Sequence, residues 1–146
     1  MDASYYIHKG IGRLQFDPQQ GTKNYDPWWC LLMVDQQIVD YYCWHSLKWG
    51  KPISKNMLWG AHVSVIKGEE SNSSLWGCDF GEIEFYYTNV IRYDNGCHAW
   101  LDVWCDRLHE IRAELGLSPK IGFGGHPRHF HLTLGRWTTG STKDSK

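Results

Sequence analysis

The stretch His62-Val63-Ser64-Val65-Ile66-Lys67 reads His-apolar-hydroxyl-apolar-x-basic, and His131-Leu132-Thr133-Leu134-Gly135-Arg136 repeats that pattern. The offset, from His62 to His131, is 69 residues, and it extends beyond the two motifs. Leu32 maps to Leu101 and Val34 to Val103, each in an apolar run suited to a buried strand. Val39 maps to Leu108 and Tyr42 to Ile111, each in a segment with helical spacing. One His-x-Thr triplet is noise, but two inside a shared strand–helix–strand register point to a duplicated unit. The expected fold class is α+β, with two pseudo-symmetric strand–helix–strand lobes whose sheets face each other. The repeat spans about 28–67 and 97–136 within one domain, 1–146, and a polar tail follows at 138–146.

Local signals fill in this frame. Tyr5-Tyr6-Ile7 and Leu14-Gln15-Phe16 flank a glycine-containing stretch, which suggests an opening hairpin. Asp17 to Pro27 is turn-rich, and Trp28 to Val34 reads as a buried strand. Asp35 is placed to cap a helix over about 36–48 that stops at Gly50, and Asp106 to cap one ending near Gly116. The polar stretch Glu69 to Ser74 reads as a mobile loop able to close over a ligand. Strands are expected at Ala61 to Ile66, Ile83 to Tyr87, Val90 to Tyr93, Ala99 to Cys105 and Phe130 to Leu134, with a turn at Asp94-Asn95-Gly96 and a loop over 121–128.

Bulk composition narrows the function. Fifteen basic and sixteen acidic residues nearly balance, which argues against duplex DNA as a partner, because such affinity comes from neutralising many phosphates. A small anionic ligand held by a few cations fits better. There is no 18-residue apolar run and no secretory signal pattern at the N-terminus, so neither a membrane nor export is expected. Five cysteines without a C-x-x-C pair read as reduced thiols in a cytosol. The nine Trp, eight Tyr and five Phe serve mainly in packing, with a few left as stacking surfaces for bases. Tyr5, Tyr6, Trp59, Trp76 and Trp137 are the candidates for stacking.

In a strand, residues i and i+2 share a face. His62 with Ser64, and His131 with Thr133, therefore project together, opposite the apolar residues between them. Two imidazoles and two hydroxyls in one cleft suit acid–base cleavage of a phosphodiester, one ring removing a proton and the other donating one. Ser64 and Thr133 would donate hydrogen bonds to phosphate oxygens, and Lys67 and Arg136 would add positive charge. The two basic residues lie nominally on the other strand face, so they reach the cleft only if each strand bends. This chemistry calls for no metal and no cofactor.

These motifs resemble those of the 2H phosphoesterase superfamily, named for two His-x-Ser/Thr motifs on facing strands of a bilobal α+β fold. His131-Leu132-Thr133-Leu134-Gly135-Arg136 is similar to the second motif of the RNA 2′,5′-ligase and cyclic-phosphodiesterase branch. The resemblance runs from about Trp28 to Arg136. It implies catalysis by His62 and His131 with phosphate binding by Ser64 and Thr133. Substrates implied are 2′,3′-cyclic phosphates, 2′,5′-linked oligonucleotides, ADP-ribose cyclic phosphates or cyclic oligonucleotide signals. The compact chain and motif spacing look similar to the phage branch that destroys messengers of CBASS immunity, acting in the host cytoplasm.

Two other readings compete. His126, His129 and His131, with Asp102, have spacing compatible with a metal site, although this leaves His62 unexplained. A non-catalytic module that sequesters a cyclic nucleotide would use the same cleft and aromatics. The sequence does not distinguish which histidine is acid and which is base.

Overall fold

The structure is a computed structural model. It describes residues 4–21, 23, 25, 27–55, 60–94, 97–119, 122–123, 126–127 and 130–137. Trp59, His129, the Asn95-Gly96 turn and the tail 138–146 lie outside the described residues, as do the side chains of 122–123 and 126–127. The elements are β1 (His8–Phe16), β2 (Trp29–Met33), α1 (Gln36–Ser46), β3 (Ile53–Ser54), β4 (His62–Lys67) and β5 (Glu82–Tyr87). They continue with β6 (Arg92–Tyr93), β7 (His98–Trp104), α2 (Asp106–Glu114), β8 (Gly122–Phe123), β9 (His126–Pro127) and β10 (Phe130–Trp137). The fold is α+β.

Six strands, in the order β1-β2-β4-β10-β7-β5, close into a barrel because β5 pairs with β1. Short β3 and β6 add to β10 and β7. The halves thus do not carry separate facing sheets, as the repeat alone suggested. Antiparallel pairing of β1 with β5, and of β4 with β10, joins the halves at both sides and removes the edges that two open sheets would expose.

The pairing register repeats at the sequence offset. Leu32 stands opposite Val63 as Leu101 stands opposite Leu132, and Met33 faces His62 as Asp102 faces His131. Even the irregularities recur. Val65 is the extra residue where Cys30 and Leu31 pair with Ile66 and Ser64, and Leu134 is extra where Ala99 and Trp100 pair with Gly135 and Thr133. The two halves meet at Leu132 opposite Val63. Those residues are themselves equivalents in the repeat, the arrangement a twofold relation between halves produces.

Alternation divides the barrel into a filled face and a polar one. Leu32, Val63, Phe85, Leu101 and Leu132 are fully buried, and Val39, Tyr42, Leu108 and Ile111 of the helices join the same core. Each such Leu or Phe contributes about 1.5–3 kcal/mol relative to exposure. Lys9, Arg13, Glu82 and Glu84 point the other way and are exposed. No described helix is long and apolar enough to cross a membrane.

Several local expectations need correction. In place of an opening hairpin, β1 is one nine-residue strand running through Gly10 and Gly12. These glycines permit close approach within the sheet: a Cβ on Gly10 would lie 2.6 Å from the Phe85 ring, and one on Gly12 2.5 Å from the Met33 carbonyl. Asp35 does cap α1, accepting the Gln37 N–H at 2.9 Å, and Gly50 ends the following 3-10 turn at φ 71°. The cap of α2 is Cys105, not Asp106, which sits in the first turn where its charge favours the helix dipole. Glu69 to Ser74 is tied down: Glu69 pairs with Arg112, while Ser71 and Ser73 donate to the Leu115 and Glu114 carbonyls. Within 121–128, β8 and β9 pair antiparallel.

All five cysteines are free. Burial raises the Cys30 thiol and pushes Cys43 up to about 11, so both behave as small apolar groups.

Candidate functional site

The duplicated bulge solves the problem of strand faces. Val65 and Ile66 both turn into the core, so Lys67 emerges on the same face as His62 and Ser64. Leu134 and Gly135 likewise turn inward, and Arg136 returns to the face of His131 and Thr133. One inserted residue per strand thus brings basic side chains at i+5 alongside imidazoles at i. Gly135 is required locally. Its φ is +150°, and a Cβ there would lie 2.1 Å from the Ser54 carbonyl oxygen of β3.

A recess of about 430 Å³ opens on this face, with His131, Thr133, Arg136, Lys67, His98 and Trp100 in its wall. Four nitrogen-bearing cationic or titratable side chains thus meet one hydroxyl in a volume suited to a nucleotide phosphate. Asp94 lies at its edge, 3.6 Å from His98 Nδ1. β4 and β10 share the pair Val63–Leu132, and His62 and Ser64 on β4, like His131 and Thr133 on β10, are the residues next to that pair along their strands. Lys67 is the β4 residue in its wall, whereas His62 and Ser64 are not among its lining residues.

The two histidines have unlike surroundings, although the repeat makes them equivalents. His62 pairs across β2 with Met33, a thioether. Its Nδ1 lies 2.7 Å from the Gly60 carbonyl. A carbonyl only accepts, so Nδ1 carries a proton, and in the neutral ring Nε2 is the basic nitrogen. Burial holds the His62 pKa below the usual histidine value; the Gly60 hydrogen bond opposes this, and nearby Lys67 adds to it. His131 instead pairs with Asp102. That carboxylate, largely buried, accepts from Tyr5 Oη at 2.8 Å, Trp100 Nε1 at 3.0 Å and Arg92 at 3.3 Å. The Trp100 indole stands edge-on to the His131 ring, centroids 6.2 Å apart.

The stacking candidates separate. Tyr5 packs edge-on to Tyr6, which leans on Trp104, and Tyr5 donates to Asp102, the residue opposite His131 in the strand register. Trp137 packs on Tyr93 and donates its indole N–H to the Asp94 carbonyl at 3.1 Å, bracing the recess edge. Trp76 is elsewhere, donating to Asp17 and packed between Phe16 and Trp28. For the competing metal reading, His126 and His129 side chains lie outside the described residues, and Asp102 is engaged by three donors.

His98, Trp100 and Asp94 escaped the sequence reading. A signal existed for Trp100: at the repeat offset it is the equivalent of Leu31, and both pair with the motif hydroxyl residue. Comparison of the chain with family models, curated proteins and solved structures yields no match.

Proposed function

We propose that this protein is a phosphodiesterase that cleaves RNA-like linkages in small nucleotides by two-histidine acid–base catalysis, without a metal. The observation that supports this reading is the bulge that recurs in β4 and β10. After it Lys67 returns to the side of β4 that carries His62 and Ser64, and Arg136 to the side of β10 that carries His131 and Thr133, and Lys67, His131, Thr133 and Arg136 line one recess. Structural duty alone does not require the same bulge twice, each followed by a cation.

The asymmetry between the histidines supports a division of roles. His62, held toward the neutral form by burial and by Lys67, and with Nδ1–H directed at the Gly60 carbonyl so that Nε2 is the basic nitrogen, takes the proton of an attacking 2′-hydroxyl or water. The new oxygen–phosphorus bond forms as the bond to the leaving oxygen breaks, and that oxygen receives a proton from His131, whose strand neighbour is a carboxylate. A 2′-hydroxyl attack yields a 2′,3′-cyclic phosphate and a free hydroxyl; attack by water yields a monoester. Ser64, Thr133, Lys67 and Arg136 donate to the non-bridging oxygens, where negative charge grows.

The bilobal 2H phosphoesterase fold belongs to the same proposal, the seam between β4 and β10 serving as the boundary of the lobes. Substrates are cyclic oligonucleotide signals, 2′,5′-oligonucleotides or 2′,3′-cyclic phosphates, and the setting is phage evasion of CBASS immunity in a host cytoplasm. The test is chromatography of products after incubating protein, in EDTA, with a panel of cyclic di- and trinucleotides, 2′,5′-oligoadenylate and a nucleoside 2′,3′-cyclic phosphate. Cleavage lost in His62→Ala and in His131→Ala supports the proposal. Tight binding without cleavage favours a sequestering module, and cleavage abolished by EDTA favours a metal site.

A further inference from the structure

A second cavity, of about 600 Å³, lies against α1, and none of its lining residues lines the His131 recess. Six aromatic or imidazole rings face it: His8, Tyr41, Tyr42, His45, Trp49 and Tyr87. They form ordered pairs. His8 stacks on Tyr87 with centroids 5.3 Å apart, Tyr41 stacks on His45 at 5.6 Å, and Trp49 meets His45 edge-on at 4.5 Å. Asp35, Gln37 and Asn89 supply the polar part of the wall, and no Lys or Arg is among its described lining residues.

The repeat shows that this surface is not demanded by the fold. Ile38, Tyr41 and His45 of α1 correspond, at the same offset, to Arg107, Glu110 and Glu114 of α2. There Arg107 pairs with both glutamates, and the helix face is closed by its own charges. On α1 the equivalent face is left aromatic, with Tyr41 54% exposed, and Trp49 of the following 3-10 turn is 55% exposed. His45 Nδ1 is buried with no hydrogen-bond partner among the described residues. Large exposed rings are costly to leave in water, and an occupant stacked on them would relieve that cost, whereas the buried Nδ1 is out of reach of the cavity and leaves the face of the His45 ring as the contact surface.

We propose that this cavity binds a purine nucleobase as the free base or nucleoside. Flat ring pairs fit a stacked planar heterocycle. Asp35 and the two amides offer acceptors and donors to its N–H and carbonyl edge, and the volume lies in the range of small-ligand sites. One Asp35 oxygen caps α1, and its carboxylate with no cation beside it disfavours a phosphate here. The phosphate-binding and base-binding surfaces are therefore separate, and this site does not depend on catalysis at the other.

Isothermal titration with guanosine, adenosine, uridine and guanosine 5′-monophosphate tests it. Purine nucleosides should bind wild-type protein, and Tyr41→Ala and His45→Ala should each weaken binding roughly tenfold, the scale of one lost base-stacking contact. Asp35→Asn keeps a good helix cap, so it should weaken guanosine binding while leaving the melting temperature nearly unchanged. The monophosphate should bind no better than guanosine in an Arg136→Ala background, where the recess is weakened. Absence of purine nucleoside binding to wild-type protein would overturn the proposal. So would binding that survives in Tyr41→Ala, His45→Ala and Asp35→Asn but is lost in Arg136→Ala.

Discussion

Val63 and Leu132 stand directly opposite each other where β4 meets β10, both fully buried, and each is the other's equivalent in the repeat. That pair locates the candidate site. One residue to either side on both strands come the two histidines and the two hydroxyls, with the dry core behind them.

His62→Ala and His131→Ala should each lower turnover by roughly 10²–10⁴-fold, the usual worth of a positioned acid or base. The double variant should be little worse than either single one, since residues acting as a unit do not add. Both rings are only half-buried, so the folded state should persist by circular dichroism. Steady-state kinetics on the cleaved substrate provides the check, and clearly additive losses would contradict a concerted pair.

The acid limb of kcat/KM should fall below the ordinary histidine value of about 6.5, because His62 stays neutral to lower pH than a free imidazole. Lys67→Met removes a nearby cation that disfavours the charged ring, so it should move that limb upward. The same shift links to stability. With its folded pKa depressed, His62 leaves stability intact above the unfolded value of about 6.5 and loses it as pH falls through the folded value. Denaturant midpoints measured from pH 7.5 to 5 should drop less in His62→Gln than in wild type.

Gly135→Ala should destabilise the protein by roughly 1–3 kcal/mol from backbone strain at φ +150°, with further cost from contact with the Ser54 carbonyl. The strain would act where β3 joins β10 and beside Arg136, so activity should fall as well. Urea unfolding at unchanged slope would read the stability part. A midpoint equal to that of wild type would contradict both the backbone strain at Gly135 and the fixed position of β3.

Arg112 is almost wholly buried, bonding both Glu69 oxygens, at 2.9 and 2.7 Å, and the Val65 carbonyl at the bulge. Glu69→Gln should leave a buried charge short of its counterion. The expected loss is at or below the low end of the roughly 3–5 kcal/mol seen for broken buried pairs, because Glu69 itself is partly exposed. Arg112→Met should disturb the β4 bulge as well, so it should reduce activity more than Glu69→Gln does. Comparing stability and turnover of the two variants separates support of the bulge from simple charge pairing.

Much of the architecture was legible because hydrophobic period and caps are local properties. The Asp35 cap, the Gly50 stop and the alternation in His62–Lys67 are each set within a few residues. Gly10 and Gly12 misled for a physical reason. A glycine needed for a turn and one needed to let Phe85 or the Met33 backbone approach look alike in sequence. The loop at 69–74 looked mobile because its anchors, Arg112 and the end of α2, lie more than forty residues away.

By itself the sequence determined the recurrence of the motif pattern at an offset of 69 residues, the two faces of each motif strand and the α+β class, since these follow from residue spacing along one chain. Only the tertiary structure decided the closed barrel, the paired bulges that swing Lys67 and Arg136 onto the histidine face, and the unlike neighbours Met33 and Asp102. Those features depend on which residues of distant strands stand opposite one another. Register is set by packing across the whole core, and a local pattern carries no record of it.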